Sequence, residues 1–219
     1  MSSLSDLRSR VRYRLGQLTD LTSGDGLTAL DSWINDAYSE LVHTVKFHEF
    51  ESEQTLVTVA STRTIALASN IYAVLSVVNV TSNAGLDPFA GTFAEYDRTV
   101  GTSTGKPREW LHFAGSLYLK PIPDAVYSMR LGIWQEPVPL TLPADTPTIP
   151  VIWHKGIEIL ATRNGWRARR DNTRANDIER GEWKDFLMSV RTPIGIESHN
   201  AKRRGVRVRM LPRDRRTGV

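Results

Sequence analysis

The chain has 219 residues, 40% apolar and 24% charged, with 15 Gly, 11 Pro and no Cys. That balance supports a buried core and excludes a wholly disordered chain, and the lack of cysteine removes disulfides, thiolate nucleophiles and cysteine-ligated zinc. Charge is uneven: residues 201–219 hold eight cations against Asp214, a net +7, so the whole-chain +4 leaves −3 on residues 1–200.

Leu4, Leu7, Val11 and Leu15 recur at three- and four-residue steps with Arg8, Arg10, Arg12 and Arg14 between them, and Gly16 follows as a stop, which predicts an amphipathic helix. Residues 1–16 therefore lack a signal-peptide core, and no stretch reaches the roughly 18 apolar residues of a membrane span. A second helix is expected from Thr28, where Thr28-x-x-Asp31 has the letters of a capping box, with Leu30, Ile34, Ala37, Leu41 and Val45 along one stripe. The period then changes. Residues 54–59, 62–67 and 71–81 are rich in Val, Ile and Thr and read as strands, as do 110–119 and 127–134, where Met129, Leu131 and Ile133 alternate with Arg130, Gly132 and Trp134. Between the two sets lies a long loop, 83–108, with one helical turn expected near Phe93 to Arg98. Seven of the eleven prolines fall between Pro121 and Pro150 and form a semi-rigid connector. Helix resumes through Ile152, Trp153, Ile157 and Leu160, and again through Ile178, Trp183, Phe186 and Val190 to Pro193.

The expected fold is α+β: N- and C-terminal helices form a bundle that carries an inserted antiparallel sheet or sandwich, followed by an extended basic arm. The divisions are 1–50 and 146–192 for the helices, 51–145 for the β insert and 193–219 for the arm.

No motif in the chain supports catalysis. Gly101-Thr-Ser103-Thr-Gly105 has the letters of a G-x-S-x-G elbow, which needs a strand before the serine and a helix after it. Here Glu95-Tyr-Asp-Arg98 precedes and Pro107 interrupts, and nothing in the spacing selects among His112, His154 and His199 as a base or Asp124 and Asp145 as its acid. Gly105-Lys106 lacks both the first glycine and the hydroxyl of a P-loop, since Val100 and Pro107 occupy those positions. His43 and His48 are five apart, on different helix faces, and suggest no metal site. No cofactor, metal or catalytic residue is expected.

The arm has the clearest functional signature. Lys202, Arg203, Arg204, Arg207, Arg209, Arg213, Arg215 and Arg216 need an anionic partner, and Val206, Val208, Met210 and Leu211 interleaved with them suit an extended segment laid on protein. The alternative is an arm contacting nucleic-acid phosphates.

In this organisation the chain resembles the head-to-tail adaptor proteins of tailed bacteriophages, also called head completion or tail tubular proteins. The resemblance spans most of residues 4–192. It rests on Leu4 to Leu15 with Trp33 to Val45, on Glu95-Tyr-Asp-Arg98 and Gly105-Lys-Pro-Arg108 before a strand, and on Leu117-Tyr-Leu-Lys-Pro121 followed by Tyr127-Ser-Met-Arg-Leu131. It continues through Leu142-Pro-Ala-Asp145, Ile149-Pro150 and the helices bearing Trp153, Trp183 and Phe186. It implies a non-enzymatic virion protein, assembled in the host cytoplasm as a dodecameric ring beneath the portal, with genomic DNA passing through the lumen without specific binding. The implied partners are other copies of the chain, the portal and the next tail component, a nozzle or tail terminator. On that picture the arm docks on the portal or an adjacent subunit, and Arg163, Trp166, Arg167, Arg169 and Arg170 meet a neighbour's Glu49, Glu51 and Glu53. Asp87, Phe89, Phe93, Tyr96, Arg98, Lys106 and Arg108 face the tail.

Overall fold

The computed structural model describes residues 2–101 and 103–190, which divide into two compact units: residues up to 41 with 140–190, and those within Val42–Pro139. Helices and one large sheet make it an α+β protein.

The first unit is helical. Its first helix, α1 (Leu4–Arg14), starts at Ser3, whose hydroxyl accepts from the Asp6 N–H while Asp6 accepts from the Ser3 N–H, a reciprocal cap that satisfies two orphan donors. The Leu4 and Ser5 N–H groups donate to the carbonyls of Asp145 and Pro143 at 2.8 and 3.0 Å. Leu4, Leu7, Val11 and Leu15 are buried, so the stripe seen in sequence is the core-facing one.

The helix α2 (Gly24–Val45) begins four residues earlier than Thr28, and the Thr28-x-x-Asp31 letters do not form a capping box. Thr28 Oγ1 donates back to the Gly24 carbonyl inside the helix, and Asp31 is taken by Arg8 in a two-bond pair at 2.6 Å. Gly26 allows the early start, because a Cβ there would stand 1.7 Å from the Asp20 carbonyl oxygen. The return helix α4 (His154–Ala168) is buried around its full circumference from Gly156 to Arg163, Ile157, Ile159, Leu160 and Ala161 included, and is the centre of this unit. Then come α5 (Asn172–Asp177), a π turn (Ile178–Glu182) and α6 (183–190).

The second unit holds a seven-stranded sheet in the order β1-β9-β3-β4-β6-β7-β2. Its strands are β1 (Glu51–Val57), β2 (Thr64–Ala66), β3 (Ile71–Asn79), β4 (Ala84–Pro88), β6 (Glu109–Phe113), β7 (Ser116–Lys120) and β9 (Ser128–Gln135). The sheet is mixed, which corrects the expected antiparallel arrangement: β4 runs parallel to β6 through Asp87↔Glu109 and Pro88↔Trp110. A second parallel pair joins the two-residue strands β5 (Thr104–Gly105) and β8 (Ile122–Pro123). A parallel pair needs a crossover, and α3 (Phe93–Val100) within the expected long loop supplies it. One sheet face holds the core of Ile71, Val74, Val77, Leu86, Trp110, Leu117, Leu119, Met129, Leu131 and Ile133. The Trp110 Nε1–H donates to the Leu86 carbonyl, so the ring is buried with its polar atom satisfied.

Candidate assembly surfaces

From Arg163, near the end of α4, to Arg170 the chain carries four arginines, yet most of that charge is answered within the helical unit. Arg163 on α4 is 4% exposed, and its guanidinium forks onto the Glu40 carboxylate of α2 and onto Asn164. Arg167 pairs with Glu179, and Arg169 with Asp20 at 2.5 Å. Trp166 lies under the Arg174 guanidinium, 4.4 Å from the ring centroid, a cation–π contact. Arg170, exposed at φ +62°, ends the helix. On α1, Arg10 reaches Glu158 at 2.6 Å and Arg14 pairs with Glu182. Arginines that read as a surface stripe are thus cross-braces between helices.

The acidic residues Glu49, Glu51 and Glu53 belong to the β unit, at the start of its edge strand, and all three are exposed. Glu51 accepts from the His48 ring at 3.1 Å. Val57 at the end of that strand and Val59 just beyond it are exposed, as is Val126, where Thr58 bonds the Ala125 and Tyr127 carbonyls.

Around α3 the structure gathers part of the expected tail-facing set. Thr92 and Glu95 form a reciprocal cap, so two full turns replace the single turn anticipated. Phe93 stacks on Phe113 with centroids 4.3 Å apart, and Tyr118 meets Phe93 edge-on at 5.2 Å. Phe89 meets Tyr96 edge-on, with the Lys120 ammonium 5.3 Å from the Phe89 ring. Tyr96 is wholly buried and donates to the Leu119 carbonyl at 2.6 Å, and burial pushes its phenol up to about 12. It anchors α3 and presents nothing outward. Asp87, Arg98, Lys106 and Arg108 are exposed. Phe113, Tyr118 and Lys120 join this surface, although they read in sequence as plain strand residues; only the alternation of 116–120 hinted that Tyr118 faces away from Leu117 and Leu119. Another cluster, His43, Tyr72 and Trp134, has ring centroids 4.6 to 5.4 Å apart, with His43 Nε2 3.2 Å from Glu136.

Ser103 sits between α3 and β5, helix first and strand second, the reverse of what a nucleophile elbow requires. The arm residues Lys202, Arg203, Arg204, Val206, Arg207, Val208, Arg209, Met210, Leu211, Arg213, Arg215 and Arg216 lie outside the described residues.

These are exposed surfaces built on braced helices and a sheet edge. The sequence matches the family described as SU10 adaptor protein over residues 2–209. The chain belongs to that family. A comparison with curated proteins finds no match. The SU10 adaptor proteins are phage structural proteins of head-to-tail adaptor type, a class that is not typically enzymatic. As an SU10 adaptor the chain is a virion component that associates with other head and tail components. None of the helices among the described residues is long and apolar enough to cross a membrane.

Proposed function

We propose that this adaptor forms a closed ring, a dodecamer, beneath the portal, joining the capsid vertex to the tail and lining the channel by which the genome leaves. The observation that carries this is the family match, which runs unbroken through both units and into the basic arm as far as Arg209. A net charge of −3 on residues 1–200 suits a channel past which DNA must slide. In this reading the helical unit carries the bundle, the β unit is inserted in it and the arm from 193 onward docks on the portal. Trp166, Arg167, Arg169 and Arg170 form one inter-subunit surface and Glu49, Glu51 and Glu53 another, with Arg163 acting as an internal brace. The surface around Phe89, Phe93, Phe113, Asp87, Arg98, Lys106 and Arg108 meets the next tail component.

Light scattering on the purified protein, alone and mixed with its portal, with and without residues 194–219, tests the proposal. Full-length protein should join the portal as a ring and truncated protein should not. The +7 on residues 201–219 favours a second reading, a nucleic-acid-binding arm. Its mark would be DNA binding that weakens steeply between low and physiological salt, with no portal association.

A further inference from the structure

The strand β1 ends the seven-stranded sheet, so, among the described residues, its side away from β9 presents backbone N–H and C=O groups with no strand beside them. All seven of its residues pair with β9 in unbroken register, and neither proline, lysine nor a bulge blunts the edge. Glu51, Glu53, Thr55 and Val57 occupy its exposed face, and Ser52, Gln54 and Leu56 the half-buried one. Across the ladder Glu51 faces Trp134 and Glu53 faces Gly132, so the sheet sets no cation opposite either acid. Arg163 and Arg167 of α4 and Arg169 just after it are answered elsewhere, by Glu40, Glu179 and Asp20.

One segment of the sequence has the complementary pattern. Val206-Arg207-Val208-Arg209-Met210 alternates apolar and basic residues with the period of a strand, and its two arginines are spaced as Glu51 and Glu53 are. Laid beside β1 at the usual strand separation of about 4.8 Å, Arg207 and Arg209 fall beside the two glutamates, while Val208 falls beside Ser52 and Val206 or Met210 beside Gln54, on the half-buried face that ends in Leu56.

We infer that residues 205–210 of one copy add as a further strand to the β1 edge of a second copy, with Arg207 and Arg209 against that copy's Glu51 and Glu53. This rests on the ring reading: a strand given by each subunit to the next is a head-to-tail contact, the kind that closes into a ring. The 14 residues from 191 to 204 allow a reach of roughly 50 Å, and Lys202 to Arg204 and Arg213 to Arg216 remain on either side of the strand for the portal.

The absence of native cysteine makes the test direct. Full-length Glu53→Cys protein is mixed with full-length Arg207→Cys or Arg209→Cys protein, assembled with the portal and oxidised. The expected result is a disulfide-linked pair containing one chain of each variant, absent when Arg98→Cys replaces Glu53→Cys. A ring that assembles with neither link overturns the strand and leaves the ring reading standing; failure to assemble, seen by light scattering in the unsubstituted protein, overturns the ring reading itself. A link formed within one chain by a double Glu53→Cys, Arg209→Cys variant at monomeric dilution overturns the second copy as acceptor. Charge reversal gives an independent readout: Glu51→Lys with Glu53→Lys should weaken assembly tenfold or more, and adding Arg207→Glu with Arg209→Glu should restore it, which a mere folding defect would not allow.

Discussion

His154 holds the start of the chain with a neutral ring: Nδ1 accepts from the Ser2 N–H at 3.2 Å and the Nε2–H donates to the Ile149 carbonyl at 3.1 Å. The residue is 2% exposed, and burial pushes its pKa below the ordinary 6.5. Below that pH the unfolded chain takes up a proton that the folded one refuses. Stability is therefore complete above 6.5 and falls as pH drops toward the folded value. Urea midpoints at pH 7.5 and 5.5 should show the loss, and His154→Gln should flatten part of the slope; His112, also lowered by burial, supplies a share of the same sign. Arg163 makes a second prediction. Arg163→Ala strips the brace from Glu40, whose side chain is 43% exposed and can rehydrate, so the expected cost is about 2 kcal/mol, less than for a fully buried pair. Chemical denaturation of the two proteins measures it.

At the level of elements, α4 is packed too closely for extra volume. A Cβ on Gly156 would stand 2.8 Å from Phe186 Cε1, and that ring is held between Trp153 and Trp183. Gly156→Ala should lower stability by about 1–3 kcal/mol despite the better helix propensity of alanine, read as a shift in denaturation midpoint. The β6–β7 hairpin offers the opposite change. Ala114 and Gly115 both have positive φ, +47° and +70°, so Ala114→Asn should raise stability by about 0.5 kcal/mol, read the same way. The helices α1, α2 and α4 were legible in sequence because a buried stripe leaves a period in the letters. The strand β4 was not, because Ala-Gly-Leu-Asp-Pro has poor strand propensity and is held by its neighbours in the ladder. The parallel pairing was hidden for the same reason. Among the surface residues, charge sign was legible but partnership was not: Arg169 meets Asp20 across 149 positions, and Phe93 finds Phe113 only after the chain has folded back.

For the whole molecule, an adaptor works by associating with other head and tail components, so the informative variants are those that leave the body folded. Removing residues 194–219 touches none of the described hydrogen bonds or ion pairs, so the circular dichroism and denaturation midpoint of the body should be unchanged while portal association is lost. The closure of α1 bears also on how the chain is born. Its first donors wait for Pro143 and Asp145, and Ser2 waits for His154, 152 positions later. At a synthesis rate of about 5–20 residues per second, that helix leaves the ribosome roughly 7–30 s before the groups that complete it. Residues 42–139, by contrast, contain their own core and can close earlier. A nascent chain thus carries an unfinished helical half until its last third has emerged.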